Sequence, residues 1–345
     1  MKKILQSYFS TILFISLWYL FYTNNSYYNN YLFKDLTFLD FSINTIDVFN
    51  IIFLLYIILL IPFYILEKEE SKALSVIKAL SNKIKDSKYK IKKQEKTNIL
   101  AWLVKLFFVP LMISWISKTF FIVLNKIYYW FNNTDLILDS AIYFINNYLF
   151  LTLLPVIILI DLLYFTIWYL LESKYLNNKI KSVEPTLFWW VIALICYPPF
   201  SNSINDILWW YSTNFPEFNN IIAHITINIL FIIFFILYTS ASVSLWFKAS
   251  NLTNRGIVSK WLYKYVRHPA YICKNIWRTI WITPILIASI ISFNIKTTIL
   301  ILISTIWWWL VYYYRAMTEE KHLEKDIEYR KYKEKVKYKF IPKIW

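Results

Sequence analysis

The chain is built around apolar runs of about twenty residues, the length a helix needs to cross the hydrocarbon of a bilayer. They lie near 6–22, 46–66, 99–121, 147–171, 187–205, 221–246, 272–292 and 297–314, the fifth being the weakest. Inside lipid, backbone polar groups must be satisfied within the structure, so these runs predict an all-α fold. The expected architecture is a polytopic transmembrane bundle of about eight spans. With 58% hydrophobic and 21% aromatic residues among 345, the composition is that of a membrane protein. The initial Met-Lys-Lys leads into an apolar run with no small-residue cleavage site after it, so 6–22 reads as a first span.

A net charge of +16 raises the question of nucleic acid, and its placement answers it. Lys68, Lys72, Lys78, Lys83, Lys85, Lys88, Lys90, Lys92, Lys93 and Lys96 crowd the second loop, and Lys174, Lys179 and Lys181 the fourth. The loop 202–220 carries Asp206 and Glu217 and the loop 127–145 carries Asp135 and Asp139, and neither contains a Lys or Arg. This alternation is the positive-inside pattern, with both termini cytoplasmic and the basic loops facing anionic lipid rather than nucleic acid.

Gly256 is the single glycine, so phosphate-cradling and dinucleotide-binding loops and the G-x-S-x-G nucleophile elbow are excluded. His224, His268 and His322 have no metal-ligand spacing and no metal site is expected; Cys196 and Cys273 read as small apolar residues without a disulfide. Asp161 falls in the middle of the fourth run, where a carboxylate is a functional candidate or the structural partner of a cation such as Arg278. Lys105, Lys118, Lys274 and Arg278 are placed to snorkel. The aromatic runs at 189–190, 209–211 and 307–314 read as interfacial belts and span packing rather than a cation cage, and His224 as a packed or interfacial residue.

The stretch YKYVRHPAY, Tyr263–Tyr271, sits at the mouth of the seventh run. Proline disfavours helix at the residue before it and is tolerated in a first turn, so Arg267 and His268 belong to a turn and Pro269 opens a helix. The free amides of such a start favour a carboxylate. Past the eighth run, Arg315 and Glu319 stand four residues apart, neighbours on one helix face, with Glu320 beside them. Leu323, Ile327, Tyr329, Tyr332 and Val336 recur at helical spacing, which predicts a cytoplasmic C-terminal amphipathic helix. One helical hairpin separates the two stretches, so both lie on one face. Together they offer a helix start and Arg for a carboxylate, Glu for an amine or ribose hydroxyl, and aromatic rings for a cationic sulfur.

Residues 252–342 resemble the isoprenylcysteine carboxyl methyltransferase family of integral-membrane enzymes. The likeness rests on Tyr-x-x-x-Arg-His-Pro-x-Tyr, here Tyr263–Tyr271, on Arg-x-x-x-Glu-Glu, here Arg315–Glu320, and on an aromatic and basic ending that closes on Pro342. Upstream, SVEPTLFWWVIALICYPPF is similar to bacterial members with extra N-terminal spans. The resemblance implies S-adenosylmethionine as cofactor, held by Arg267, His268, Tyr271, Glu319 and Glu320, with Tyr332 a further contact and Arg315 orienting Glu319 or the substrate. It also implies a lipid or lipophilic acceptor reaching the site sideways between helices, and a bacterial inner-membrane location. Family members carry Gly-Pro before the first tyrosine of the motif, where this chain has Trp261-Leu262, so the turn must be made otherwise.

The expected organisation is an N-terminal transmembrane extension over 1–140 and a methyltransferase core over 141–345, with the cofactor site formed by 251–271 and 315–345. Arg315, Glu319 and His268 are the candidate catalytic residues. A carboxylate acceptor needs no general base, whereas an amine or phenol would use His268 or a glutamate. Two other functions fit the same pattern: an NADPH-dependent membrane reductase of the sterol-reductase type, and a non-catalytic transport or scaffold protein centred on Asp161. The acceptor and the oligomeric state are not written in the sequence.

Overall fold

The computed structural model describes residues 1–32, 34–133, 141–208 and 216–344. Asp135, Asp139 and the aromatic run 209–211 lie outside the described residues. In chain order the first elements are α1 (Lys2–Asn24), α2 (Ser26–Leu32), β1 (Asp35–Phe38), β2 (Phe41–Asn44), α3 (Thr45–Glu67), α4 (Lys72–Lys85) and α5 (Lys93–Asn132). Then come α6 (Phe144–Leu170), α7 (Leu187–Leu194), α8 (Phe200–Ile207), α9 (Ile221–Ser244), α10 (Pro269–Ile291), α11 (Ile295–Leu323) and α12 (Ile327–Lys335). The chain is mostly helical, and among the described residues 6 helices, α1, α3, α5, α6, α9 and α11, are long and apolar enough to cross a membrane.

Two expected spans differ. The run 187–205 is two short helices, α7 and α8, because Pro198 and Pro199 lack the N–H that would continue the hydrogen-bond ladder of α7. The helix over 272–292, α10, has 23 residues, but Lys274, Asn275 and Arg278 interrupt its apolar character and it is not among the six. An antiparallel hairpin also departs from the all-α expectation: Asp35 pairs with Asn44 and Phe38 with Phe41.

The chain divides into two units, Met1–Asn125 with Leu162–Pro185, and Lys126–Asp161 with Thr186–Trp345. In the first unit the Asn44 side chain caps α3 by accepting from the Ile46 N–H, and Lys68 ends it in the left-handed region. The lysine-rich segment after α3, expected as a loop, contains α4. Ser71 caps it by accepting from the Leu74 N–H, and the same hydroxyl donates to the Ser7 carbonyl at 3.3 Å. Ala73 and Val76 of α4 are buried against Trp102 of α5, with Phe14 and Ile15 of α1 packed on them. Lys78, Lys83 and Lys85 of α4 are exposed, whereas Lys72 in its first turn is half-buried and pairs with Glu172.

In the second unit the core joins Phe150 and Leu154 of α6, Phe231 and Phe235 of α9 and Trp277 of α10. Phe231 lies edge-on to Trp277 at 5.7 Å and stacks on Phe235 at 6.2 Å. A short connection closes α10 and α11 into a hairpin: Asn294 caps α11 from the Thr297 N–H, and Ser289 and Thr298 share a hydrogen bond of 2.9 Å. The first turn of α10 and the last turns of α11 consequently lie at the same end of the hairpin.

Replacing fully buried Phe231 by Ala is expected to lower stability by about 3–5 kcal/mol. Replacing exposed Phe293 in the same hairpin connection should change it by less than about 0.5 kcal/mol. Unfolding of the purified protein by added denaturing detergent measures both.

Candidate functional site

The segment between α9 and α10 contains four residues of positive φ, Trp246, Leu252, Gly256 and Trp261. Gly256 has φ +108, its N–H donates to the Asn254 side chain at 2.8 Å, and a Cβ there would meet the Lys248 ammonium at 3.0 Å. The one glycine of the chain thus stands where the backbone requires it. Trp261 takes φ 56 at the position where the resemblance leads one to expect glycine. A bulky residue in that region is strained, by about 1–2 kcal/mol. Tyr332 of α12 then holds the loop, donating to the Tyr263 carbonyl at 2.7 Å. Burial raises the Tyr332 phenol well above its ordinary pKa, so the hydroxyl stays protonated and remains a donor.

Arg267 is the node between loop, helix and tail. It is 5% exposed; its Nε donates to Glu320 at 2.7 Å and its Nη1 to the carbonyls of Val336 and Lys337, both at 2.7 Å. Main-chain bonds continue the join, from Arg267 N–H to the Tyr338 carbonyl at 3.0 Å and from His268 N–H to the Lys339 carbonyl at 2.9 Å. His268 Nε2 lies 3.1 Å from the same Glu320 oxygen, with its ring stacked on Tyr271 and facing Phe340. Glu320 also has the Lys333 ammonium at 3.8 Å. Arg267 and Glu320, expected as cofactor contacts, are thus engaged with each other and with the tail.

Tyr271, Glu319 and Arg315 form the rest of the site, with Glu319 exposed, Tyr271 half-buried and Arg315 buried. The Tyr271 hydroxyl donates to Glu319 at 2.9 Å. Arg315 turns away from Glu319, its neighbour four residues on, and donates to the Asn251 side chain at 2.6 Å. Its guanidinium lies 5.4 Å from the centre of the Tyr271 ring, so Tyr271 links the two residues that helix spacing had paired directly. Asn251 in turn donates to the Tyr197 hydroxyl at 3.1 Å.

Below this group three cations surround one tyrosine. Lys274 Nζ and Arg278 Cζ each lie 5.3 Å, and Arg315 Cζ 5.7 Å, from the centre of the Tyr312 ring. Arg278 is also 4.5 Å from Trp308. Lys274 and Arg278 therefore face aromatic rings inside the unit and do not snorkel. The run 307–314, read from sequence as an interfacial belt and span packing, presents Trp308 and Tyr312 both to an apolar cluster and to these cations. Asp161 lies in α6, and its Oδ1 has no hydrogen-bond partner among the described residues. His224 is a buried packing residue, its Nε2 2.8 Å from the Asn146 side chain. Both cysteines are free, and no group of three or more metal-ligating side chains occurs among the described residues.

A groove of about 430 Å³ runs between α10 and α11, lined by Ile272, Asn275, Trp309, Tyr313, Phe340 and Ile341. It is almost entirely apolar, and Phe340 forms part of its wall while facing the His268 ring at 5.7 Å. The residues that sequence reasoning missed are Asn251, Tyr197, Lys274 and Tyr312. Only the Lys274/Arg278 spacing, one helical turn within an apolar run, signalled any of them. No protein-family profile matches the chain, and no characterised protein matches it.

Two outcomes follow from this geometry. Arg267→Ala leaves Glu320 buried without its guanidinium and frees the tail, so trypsin should cut after Lys337 or Lys339 at least about tenfold faster under native conditions. Trp261→Gly relieves a left-handed bulky residue and should raise stability by about 1 kcal/mol, read as a higher midpoint of thermal unfolding.

Proposed function

We propose that the protein is an integral-membrane, S-adenosylmethionine-dependent methyltransferase of the isoprenylcysteine carboxyl methyltransferase-like kind, acting on a lipophilic acceptor. The observation that carries the reading is the convergence of Tyr271, Glu319 and Arg315 where the start of α10 meets the last turns of α11, beside an apolar groove whose wall includes Ile272 and Phe340. On this reading α10 also crosses the membrane and α7 with α8 form a broken fifth crossing, whose irregular turn is buried against Trp308 and Tyr312 of α11. Eight crossings put both termini, the loop 251–268 and the tail on the cytoplasmic side, in a bacterial inner membrane. The exposed residues of α12 then face the membrane surface or the cytoplasm, while Tyr329 and Tyr332 hold it to the core.

The residues fit the cofactor by their chemistry. Arg315 and the free amides at the start of α10 suit its carboxylate, Glu319 its amino group or ribose hydroxyls, and the rings of Tyr271 and Tyr197 its positive centre. When bound, S-adenosylmethionine supplies a methyl group on a sulfonium. The chain's own part is to align and to exclude water. Arg267 and Glu320 fix the loop, so they position His268 and Tyr271 instead of touching the cofactor. The cations around Tyr312 favour an acceptor that carries negative charge, such as a carboxylate, and the groove takes its apolar part. An ionised carboxylate needs no base; for an amine, His268 or Glu319 takes the proton.

The test is transfer of tritium from methyl-labelled S-adenosylmethionine into a lipid extract by the reconstituted protein. The expected result is label in the organic phase, reduced by about a hundredfold in Glu319→Ala and in Arg315→Ala, equivalent to about 2.7 kcal/mol. Label that persists in both variants, or a function that only Asp161→Ala impairs, would contradict the proposal.

A further inference from the structure

The methyltransferase reading leaves the first unit without a role, yet that unit has a charged interior. A cavity of about 430 Å³ lies among α3, α4, α5 and the segment after α6, lined by Glu67, Lys72, Lys105 and Glu172 together with the hydroxyl-bearing Thr11 and Tyr64. Beside it is a narrower apolar slot of about 60 Å³, lined by Trp18, Tyr22, Phe49, Ile52 and Phe53. Tyr56, Trp102, Lys105 and Leu170 border both spaces, so the two form a polar chamber and an apolar extension that share a wall.

The charges are placed unevenly. Glu172 is 8% exposed at its side chain; one of its oxygens accepts from Lys72 and from the Ile180 N–H, and Lys105 Nζ lies 3.4 Å from the other. Two ammonium groups therefore converge on one buried carboxylate. Glu67 is satisfied separately, accepting from the Ser173 hydroxyl and from the Lys174 N–H at 3.1 Å. Glu69, 53% exposed, stands at the rim with Lys179. Of the charged residues, Lys105 alone borders the apolar slot as well, and its side chain is 15% exposed.

We propose that this cavity binds an amphiphile whose apolar chain enters the slot and whose phosphate group sits at the chain's end against Lys105 and Lys72. The position of Lys105 carries the argument. A molecule that spans both spaces must pass the ammonium at the junction, so its chain end meets positive charge. Two ammonium groups on one carboxylate leave one positive charge over, and a phosphate monoanion there balances it in surroundings that screen it little. Trp18, Phe49 and Phe53 take the first carbons of the chain, and the Thr11 and Tyr64 hydroxyls, which share a hydrogen bond of 2.6 Å, lie on the chamber wall for the rest of the head group. The site does not depend on the methyltransferase reading and stands whichever reaction the second unit performs.

The test is native mass spectrometry of the full-length protein released from detergent, with dodecyl phosphate, dodecyl glucoside and inorganic phosphate as probes. One dodecyl phosphate per chain should be retained at least tenfold more tightly than dodecyl glucoside, with inorganic phosphate not retained. Lys105→Met should weaken dodecyl phosphate at least tenfold while Lys105→Arg keeps most of it. Ile52→Trp, which fills the slot from a half-buried position, should weaken dodecyl phosphate with the protein's thermal melt preserved. Equal retention of the phosphate and glucoside probes, or unchanged retention in folded Lys105→Met, would overturn the proposal. So would inorganic phosphate bound as tightly as dodecyl phosphate, which would make the ligand a soluble phosphate.

Discussion

Burial of the Arg267 guanidinium is the constraint on which the second unit's site depends. A charge taken out of water is tolerated where it is paired and hydrogen-bonded, and the Arg267 Nε and Nη1 find one carboxylate and two main-chain carbonyls at 2.7 Å each. Those partners come from α11 and from the tail beyond α12, so satisfying one side chain joins three separate pieces of chain. The main-chain bonds of Arg267 and His268 to Tyr338 and Lys339 then follow with no further ordering, and Phe340 is delivered to the His268 ring. The wall of the apolar groove is thereby a consequence of the same ion pair.

Around that fixed frame, cations and aromatic rings alternate. Tyr312 is shared by Lys274, Arg278 and Arg315, and Tyr271 joins Arg315 to Glu319 through its ring on one side and its hydroxyl on the other. Aromatic faces stabilise cations without neutralising them. The first unit solves the same problem with carboxylates, Glu172 taking Lys72 and Lys105, and so holds its lysines in place by direct pairing.

Much of this arrangement was legible because it is local or topological. Pro269 marks the start of α10, and a single hairpin between Tyr271 and Arg315 requires the two motifs to share an end. Helix spacing also places Tyr329 and Tyr332 on the buried side of α12. What was hidden depends on distant chain. The rotamer of Arg315 is decided by Asn251, which no spacing rule connects to it, and Lys274 turns inward because Tyr238 and Tyr312 provide rings there. The α4 helix was overlooked because its lysines read as a basic loop, although Ser71 followed by Ala73, Leu74 and Val76 carries the cap and apolar pattern of a helix. The break at Pro198-Pro199 is a helix stop set inside an otherwise apolar run, which is why 187–205 reads as one weak span.

The central claim is that the Tyr271, Glu319 and Arg315 face recognises an amino-acid sulfonium cofactor. Equilibrium dialysis of the detergent-purified protein against radiolabelled S-adenosylmethionine and NADPH, run in parallel, tests it most directly. The account predicts saturable binding of S-adenosylmethionine with one site per chain and none of NADPH. Binding of NADPH alone would assign the same cations to phosphate recognition by a reductase and contradict the account, as would binding of neither.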